Sequence, residues 1–310
     1  MRYYLCILIT RSAIIDQTQS RQAGESMIRI RRQEWLGDRS FYREILSIAF
    51  PIMLQQGIAM LMGFTDSVMV GQLDELSMAG VTIVNKAFVI VMAVLFGLTG
   101  GLGIFISQHY GADDQGKGRG FFWINLIGTM MIAGFFTLLI VAFPEAILSL
   151  FVSDAGTIGH GMDYLRYIRL SYVPFAVNMV IVYAFRSIGH TRLPMLVSSG
   201  AVVLNTLLNY LLIFGKFGLP AMGTGGAGLA SLIARLVEMS IYILILTGGR
   251  HYFNLDPRVM HNLNRSHLRQ AAGKCLPLMG MELLWSVGMT ILFWSYCQVD
   301  EQVIASLEIG

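Results

Sequence analysis

Charged residues are scarce in this chain. Asp, Glu, Lys and Arg make up 13% of its 310 residues, whereas hydrophobic residues make up 55% and the mean hydropathy is +0.62. A soluble globular domain has about 25% charged residues, so the composition indicates a protein that resides in a lipid bilayer. The formal net charge of only +3 gives no broad basic surface, and we expect no nucleic-acid partner.

Cysteines and catalytic motifs are also scarce. The three cysteines, Cys6, Cys275 and Cys297, have no motif spacing, so the sequence predicts neither a disulfide framework nor a structural metal site. The Gly-rich segment 215–228 lacks the Gly-Lys-Ser/Thr ending of a phosphate loop and is interpreted as a turn that enters a closely packed helix. No nucleophile stands beside a base. We therefore predict that the protein is not an enzyme and has no cofactor.

Long hydrophobic runs, in contrast, are present. Crossing about 30 Å of hydrocarbon takes about 20 helical residues, and such runs cannot be open strands, because lipid leaves the backbone polar groups of an open sheet edge without partners. The sequence thus predicts an all-α membrane protein. The predicted spans are 44–71, 81–107, 121–143, 162–187, 193–215, 225–247 and 271–297.

An internal repeat relates the first span to the seventh. Residues 51–83 align without a gap with residues 277–309, and both copies are apolar helices that end in a Gln-x-Asp-Glu turn, at 72–75 and 298–301. A duplication in the same direction is typical of two-lobed transporters. We therefore predict a six-helix amino-terminal lobe followed by the first helix of a second, incomplete lobe, out of about 450 residues in a complete protein.

The positions of the positive charges predict an orientation. Arginines precede the first span and fill the loop between the sixth and seventh spans, whereas the opposite side carries mainly Asp and Glu. By the positive-inside bias, the amino terminus and the basic loops are expected in the cytoplasm, with the protein in the plasma (inner) membrane.

The chain is predicted to have four parts. The first part is a disordered cytoplasmic extension, or it includes translated upstream sequence, in which case Met27 is the true start. The six-helix lobe follows, and a cytoplasmic loop leads to the incomplete second lobe. The expected boundaries are 1–40, 41–248, 249–270 and 271–310.

Three predicted spans bring polar side chains to one depth. At 1.5 Å per residue, Asp66, Asn209 and Ser231 lie about 9–11 Å below the outer ends of spans one, five and six. Asn205 is one turn deeper on the same face as Asn209. Such oxygens suit Na⁺, held transiently at Asp66, Asn205 and Asn209, or a carboxyl that exchanges a proton. The alternative for the two Asn and Ser231 is simple hydrogen bonding between helices.

Further polar and helix-bending residues lie within the spans. Glu282 lies about 12 Å from the inner end of the seventh span. It is a candidate substrate or proton site, because an ionisable residue within a membrane span is costly and is usually functional. Arg235 and Glu238 are spaced i, i+3 and are expected to pair structurally. Pro51 and Pro277 occupy equivalent places in the repeat and are candidate bends.

Several motifs together resemble the multidrug and toxic compound extrusion (MATE) family, over about residues 41–310. They are Phe50-Pro51, Gly-Phe-Thr-Asp-Ser-Val-Met-Val-Gly at 63–71, Gln-His-Tyr-Gly-Ala at 108–112, Arg-Ser-Ile-Gly at 186–189 with Pro194, Leu204-Asn205 through Asn209, and the segment 225–231.

The resemblance implies twelve helices in two six-helix lobes and the export of cationic or amphipathic compounds in exchange for Na⁺ or H⁺ by alternating access. Asp66 matches the family's first-helix acid, and Asn205, Asn209 and Ser231 match its polar site. Some members carry an acid where Asn209 stands, which leaves the choice of ion open. Glu282 resembles the seventh-helix glutamate. We expect a monomer, and no transport by a chain that lacks most of the second lobe.

Two other membrane classes compete with this interpretation. A lipid-linked saccharide flippase of related two-lobed architecture would need a cationic cavity for a pyrophosphate, whereas the candidate residues here are acidic or neutral. A seven-helix receptor would have an extracellular amino terminus, whereas the start of this chain is basic and expected in the cytoplasm.

Overall fold

The computed structural model describes residues 38–248, 252–253, 258 and 264–297, without the side chain of Met62. All regular structure in these ranges is helical, which confirms the predicted all-α class. The helices are α1 (Arg39–Gly71), α2 (Glu75–Gly111), α3 (Gln115–Ala142), α4 (Pro144–Ser149), α5 (Ala155–Ile168), α6 (Tyr172–Ser187), α7 (Arg192–Phe214), α8 (Gly223–Thr247) and α9 (Arg265–Cys297).

Within the described residues, seven candidate membrane-crossing segments match the seven predicted spans. Six are the long helices α1, α2, α3, α7, α8 and α9, and one is α5 and α6 joined by the 3-10 turn Arg169–Ser171. All are long and apolar enough to cross a bilayer. The fourth span was predicted to begin at 162 but begins at Ala155, so its first turns were missed. The predicted start at Met27, most of the loop 249–270 and the repeat turn at 298–301 lie outside the described residues.

Residues 1–50 and residues 51–310 form two compact units. In the first, the described residues begin α1, where Asp38 Oδ1 accepts a hydrogen bond from the backbone N–H of Phe41 at 2.9 Å. This bond holds the pKa of the Asp38 carboxyl below its usual value. The second unit contains all the predicted site residues.

Aspartates fix the starts of three helices in the second unit. Asp74, Asp114 and Asp154 each accept a hydrogen bond from the backbone N–H three residues later, at 2.6, 3.1 and 2.7 Å. Helix N-termini have unpaired N–H groups that such caps satisfy. The caps explain why α2, α3 and α5 begin several residues before the apolar runs from which the spans were predicted. Asp74 is the acid of the repeated Gln-x-Asp-Glu turn, so that turn is a helix cap.

We expect Asp74→Ala to lower the free energy of unfolding by about 1 kcal/mol, because it removes the cap of α2. The bond from Ser77 N–H favours ionised Asp74 and lowers its pKa, so this stabilisation is lost as the pH falls through that lowered pKa. Unfolding in mixed detergent micelles at neutral and acidic pH measures both effects. Asp74→Asn, which keeps an acceptor oxygen, is the control, and equal destabilisation by both changes would contradict the cap.

Glycines set the distance between α8 and its neighbours. A Cβ on Gly226 would stand 2.7 Å from the backbone carbonyl of Leu212 in α7, and one on Gly228 would stand 2.5 Å from the carbonyl oxygen of Tyr164 in α5. Any larger residue would push these backbones apart, because real Cβ atoms do not come so close. The close packing predicted for this segment is therefore present, and α8 is held against two helices at once.

The segment after α8 has an anchor that the sequence did not predict. The side chain of Phe253 is 0% exposed, and its ring lies 4.9 Å from that of Phe122 and 5.7 Å from that of Phe185. Arg119 Nε donates a hydrogen bond to the carbonyl oxygen of Tyr252 at 2.5 Å. Part of the predicted loop 249–270 is therefore packed into the core between α3 and α6.

Candidate functional site

A cavity of about 640 Å³ lies inside the helical bundle. Its walls come from α1, α2, α5, α6, α7 and α8, so six helices contribute to one space. The polar residues that line it are Asp66, Ser67, Thr82, Asn85, Tyr164, Ser198, Asn205, Asn209, Ser231, Arg235 and Glu238. These side chains form two groups at different depths.

The outer group, named for the side that the sequence predicts to face outward, contains Asp66, Asn209 and Ser231, which were predicted to share a depth, and Asn205, which was predicted one turn deeper. Asn209 Nδ2 donates a hydrogen bond to Asp66 Oδ1 at 2.6 Å. In the amide orientation that satisfies both of its ends, Asn205 donates to Asp66 Oδ2 at 3.2 Å and accepts from Ser231 Oγ at 3.2 Å. The structure thus brings Asp66, Asn205, Asn209 and Ser231 into one hydrogen-bonded cluster.

One atom of this cluster lacks a partner. Asn209 is 1% exposed, and its Oδ1 atom accepts no hydrogen bond from the residues that the structure describes. A buried carbonyl oxygen without a donor costs about 1–3 kcal/mol. Amide and carboxylate oxygens are the ligands of hard cations, so Oδ1 of Asn209 next to Asp66 fits an incoming cation.

Local structure explains why these residues meet. Asn205 and Asn209 are one turn apart on α7 and therefore face the same way. The missing side chain at Gly226 lets α8 approach α7 closely, which carries Ser231 to Asn205. Asp66, on α1, completes the cluster through its contact with Asn209.

The inner group contains Arg235 and Glu238, which attract each other electrostatically as their spacing predicts but form no direct ion pair within the described residues. Arg235 Nη1 donates to Ser171 Oγ at 2.6 Å, and its guanidinium lies 4.9 Å from the centre of the Phe175 ring. Glu238 instead accepts hydrogen bonds from α6 and α7. The i, i+3 spacing reports proximity on one helix, whereas buried charged groups here take partners from neighbouring helices.

Sequence reasoning gave the inner group no functional role. The donors to Glu238 are Asn178 and Ser198, and they belong to two further spans. Their presence could have been found by extending the depth comparison one level inward, since Ser198 precedes Asn205 by seven residues and Glu238 follows Ser231 by seven.

The remaining predicted site residues lie elsewhere. Glu282 is half-buried on α9, near enough to Tyr183 to interact with it electrostatically, but it does not line the cavity. Pro51 and Pro277 lie inside α1 and α9, which both continue beyond them. The structure therefore separates Glu282 from the outer group, and the roles of all three residues stay predictions.

Comparisons with known proteins place the chain among transporters. A family model described as MatE matches residues 51–211, more than half of the chain. The probable multidrug resistance protein NorM of Thermotoga maritima is 29% identical over 205 residues, which are 66% of this chain and 44% of that protein. The multidrug resistance protein PmpM of Pseudomonas aeruginosa is 33% identical over 198 residues, 62% of this chain and 40% of that protein. The chain thus spans less than half the length of these two relatives.

Solved structures share the fold. A crystal structure of MATE in the bent conformation is 20% identical with a TM-score of 0.72, and the match covers 80% of this chain and 55% of that chain. The inward-facing conformation of a multidrug resistance MATE family transporter of the MOP superfamily has the same identity and TM-score, over 86% of this chain and 60% of that chain. The matched family region contains Asp66, Asn205 and Asn209.

Proposed function

Because the chain belongs to the MatE family, we propose that it forms the amino-terminal part of a transporter that exports cationic or amphipathic small molecules in exchange for Na⁺ or H⁺. The observation that carries the proposal is the cluster of Asp66, Asn205, Asn209 and Ser231 inside a cavity of about 640 Å³. Small-molecule sites typically have about 300–1,000 Å³, so the space suits one organic molecule together with an ion.

Either coupling ion fits the outer group. Na⁺ would be held by the carboxylate of Asp66 and the unpartnered Oδ1 of Asn209, with Ser231 Oγ nearby. H⁺ would be held on Asp66 itself, where it removes a negative charge from the membrane interior, in which unpaired charge is costly. In both cases the ion and an organic cation compete for the same negative charge, which is the basis of an exchange.

The wall of the cavity supports a cationic or amphipathic substrate. Met60, Phe64 and Phe175 supply apolar and aromatic surface beside Asp66 and Glu238. Flexible methionines pack against ligands of varied shape, and aromatic faces attract cations. The lining has two carboxylates for one Arg235, whose guanidinium is engaged by Ser171 and Phe175. A pyrophosphate-linked saccharide would find no free cation here, so the flippase alternative gains no support.

The orientation, location and assembly belong to the same proposal. The basic ends of the helices would face the cytoplasm of a plasma (inner) membrane, the outer group would lie toward the opposite side, and the protein would act as a monomer. Alternation between two access states would release the substrate outside and the ion inside.

Competition between ions and an organic cation tests the proposal on the chain itself. In lipid nanodiscs, we expect ethidium to bind, and its affinity to fall about tenfold when NaCl replaces choline chloride at equal ionic strength, or when the pH is lowered at constant Na⁺. The first result identifies Na⁺ and the second H⁺ as the competing ion. An anionic dye of similar size is the matched control. The proposal fails if the affinity for ethidium changes with neither Na⁺ nor pH, or if the anionic dye binds equally well.

A further inference from the structure

Glu238 is a carboxylate that receives only neutral hydrogen-bond donors. Its Oε1 accepts from Ser198 Oγ at 2.7 Å, and its Oε2 accepts from Asn178 Nδ2 at 2.9 Å. Asn178 Nδ2 is shared, because it also donates to the carbonyl oxygen of Arg235 at 3.0 Å. No ion pair with Glu238 is formed within the described part of the chain, and a lone negative charge inside a membrane protein is costly.

The charged and titratable groups around Glu238 do not replace such a pair. Arg235, one turn away on α8, attracts Glu238 electrostatically, but it directs its guanidinium to Ser171 and to the faces of Phe175 and Phe88. Groups on neighbouring helices interact with the surroundings of Glu238 rather than with its oxygens. They are Arg186 on α6 next to Tyr242, Tyr164 on α5 and Tyr172 on α6 next to Arg235, and Asp66 on α1 in the lining of the same cavity.

Two hydroxyl groups continue the network away from the cavity. Ser198 Oγ lies 3.1 Å from the hydroxyl oxygen of Tyr242, and either atom can be the donor. The Tyr242 hydroxyl lies 3.4 Å from the carbonyl oxygen of Pro194. Pro194 is two residues from Arg192, the first residue of α7. The chain of oxygens therefore runs from Glu238 toward the basic end of α7.

This network can satisfy Glu238 with and without a proton. When Glu238 is ionised, Tyr242 donates to Ser198 and Ser198 donates to Glu238. When Glu238 binds a proton, it donates to Ser198, Ser198 donates to Tyr242, and Tyr242 donates to the Pro194 carbonyl oxygen. Hydroxyl groups rotate to serve as donor or acceptor, so neither state leaves a buried hydroxyl unpaired, which would cost free energy.

We propose that Glu238 is a second proton-exchanging carboxyl of the cavity, with the Ser198–Tyr242 hydroxyl pair as the element that adapts to its two states. The proposal rests on the proposed function and adds a second ion site to it. Seven residues separate Glu238 from Ser231 on α8 and Ser198 from Asn205 on α7, so this site lies about 10 Å inward of the outer group. A proton from cavity water binds to an oxygen of Glu238 and returns to water on release, and no other bond changes.

A second proton site has a consequence for exchange. With Asp66 and Glu238 both ionised, the two carboxylates outweigh Arg235 and the cavity attracts a cation. With both protonated, Arg235 dominates and the cavity repels one. Two protons at two depths would thus switch the sign of the charge in the cavity, which a proton on Asp66 alone would not do.

Infrared titration distinguishes one proton site from two. In nanodiscs, the carbonyl stretch of protonated carboxyl groups is recorded against pH for the wild type, Asp66→Asn, Glu238→Gln and the double variant. We expect Asp66→Asn to retain a titrating band that the double variant lacks, and ethidium to displace about two protons from the wild type and about one from Asp66→Asn. If the Asp66→Asn variant, in which Glu238 is intact, shows no titrating band beyond those of the double variant, the proposal is overturned.

Two further variants separate a proton site from a merely structural carboxylate. Glu238→Asp keeps a carboxyl and should shift the band rather than remove it, which covers the case in which Glu238→Gln does not fold. Tyr242→Phe removes one hydroxyl of the adapting pair and should shift the frequency of the Glu238 band, and an unchanged frequency would overturn the role of the pair. If ethidium does not bind but the Glu238 band titrates, the exporter proposal fails and the proton site stands. If ethidium binds in competition with an ion but displaces no proton from Asp66→Asn, the exporter proposal stands and the proton site at Glu238 fails.

Discussion

Asp66→Asn is expected to weaken ethidium binding about 10–100-fold. It should also remove the competition between ethidium and the Na⁺ or H⁺ held by the outer group. The carboxylate accepts hydrogen bonds from two amide groups, Asn209 Nδ2 at 2.6 Å and Asn205 at 3.2 Å. An amide at position 66 offers one acceptor oxygen and turns an NH₂ group toward a donor. The substitution also removes the negative charge that would attract ethidium. A hydrogen bond from an amino group of ethidium to a charged carboxylate would contribute about 1.5–3 kcal/mol, and 1.4 kcal/mol corresponds to a tenfold change in affinity.

Fluorescence titration of the purified chain in nanodiscs measures this loss. Asp163→Asn is the matched control, because the same change is made at an exposed carboxyl on α5, outside the cavity lining. The control should bind ethidium like the wild type. If Asp66→Asn keeps both the affinity and the ion dependence, the outer group is a structural cluster between helices and the exchange must depend on other residues.

Phe253→Ala is expected to lower the free energy of unfolding by about 3–5 kcal/mol, the usual loss when a buried Phe is truncated. Its ring is fully buried and packs against Phe122, Phe185 and Tyr252 at centroid distances of 4.9, 5.7 and 5.0 Å. The truncation would leave a cavity where the segment after α8 is attached to the core. Equilibrium unfolding in mixed micelles, followed by tryptophan fluorescence, gives the difference.

Phe217→Ala provides the comparison for that experiment. Phe217 lies in the turn Lys216–Gly218 and is 93% exposed, so the same truncation there should change the free energy of unfolding by less than about 0.5 kcal/mol. A small effect at Phe253 as well would mean that the segment after α8 contributes little to the stability of the bundle.

The sequence predicted the spans and the outer group because both follow from fixed helical geometry. A rise of 1.5 Å per residue converts positions such as Asp66, Asn209 and Ser231 into depths without knowledge of the packing. Helix ends were less accurate, because caps such as Asp74 and Asp154 extend helices into polar sequence.

Features that depend on the packing of different helices were missed. The partners of Glu238 come from α6 and α7. A depth comparison can place Ser198 near the level of Glu238, but it does not show which side chains of neighbouring helices touch. Phe253 is a single aromatic residue in a loop without periodicity, so nothing in its neighbourhood in the sequence distinguishes a core residue from an exposed one. Both depend on tertiary contacts between distant parts of the chain.

The hydrogen bond between Asp66 and Asn209 also creates a thermodynamic linkage. Glycines fix α8 against α7 and α5, whereas α1 exposes large apolar side chains such as Met60, at 78%, and Leu61, at 70%. The Asp66–Asn209 bond is a polar contact between α1 and this frame, and Gln55 of α1 forms a second polar contact, with Arg186 of α6 at 2.6 Å. Any occupant that changes the Asp66–Asn209 bond changes the free energy of the contact between α1 and the frame, and by reciprocity the contact changes the affinity for the occupant by the same factor. A lipid or ligand that covers the exposed face of α1 would then act as an allosteric effector of the ion site.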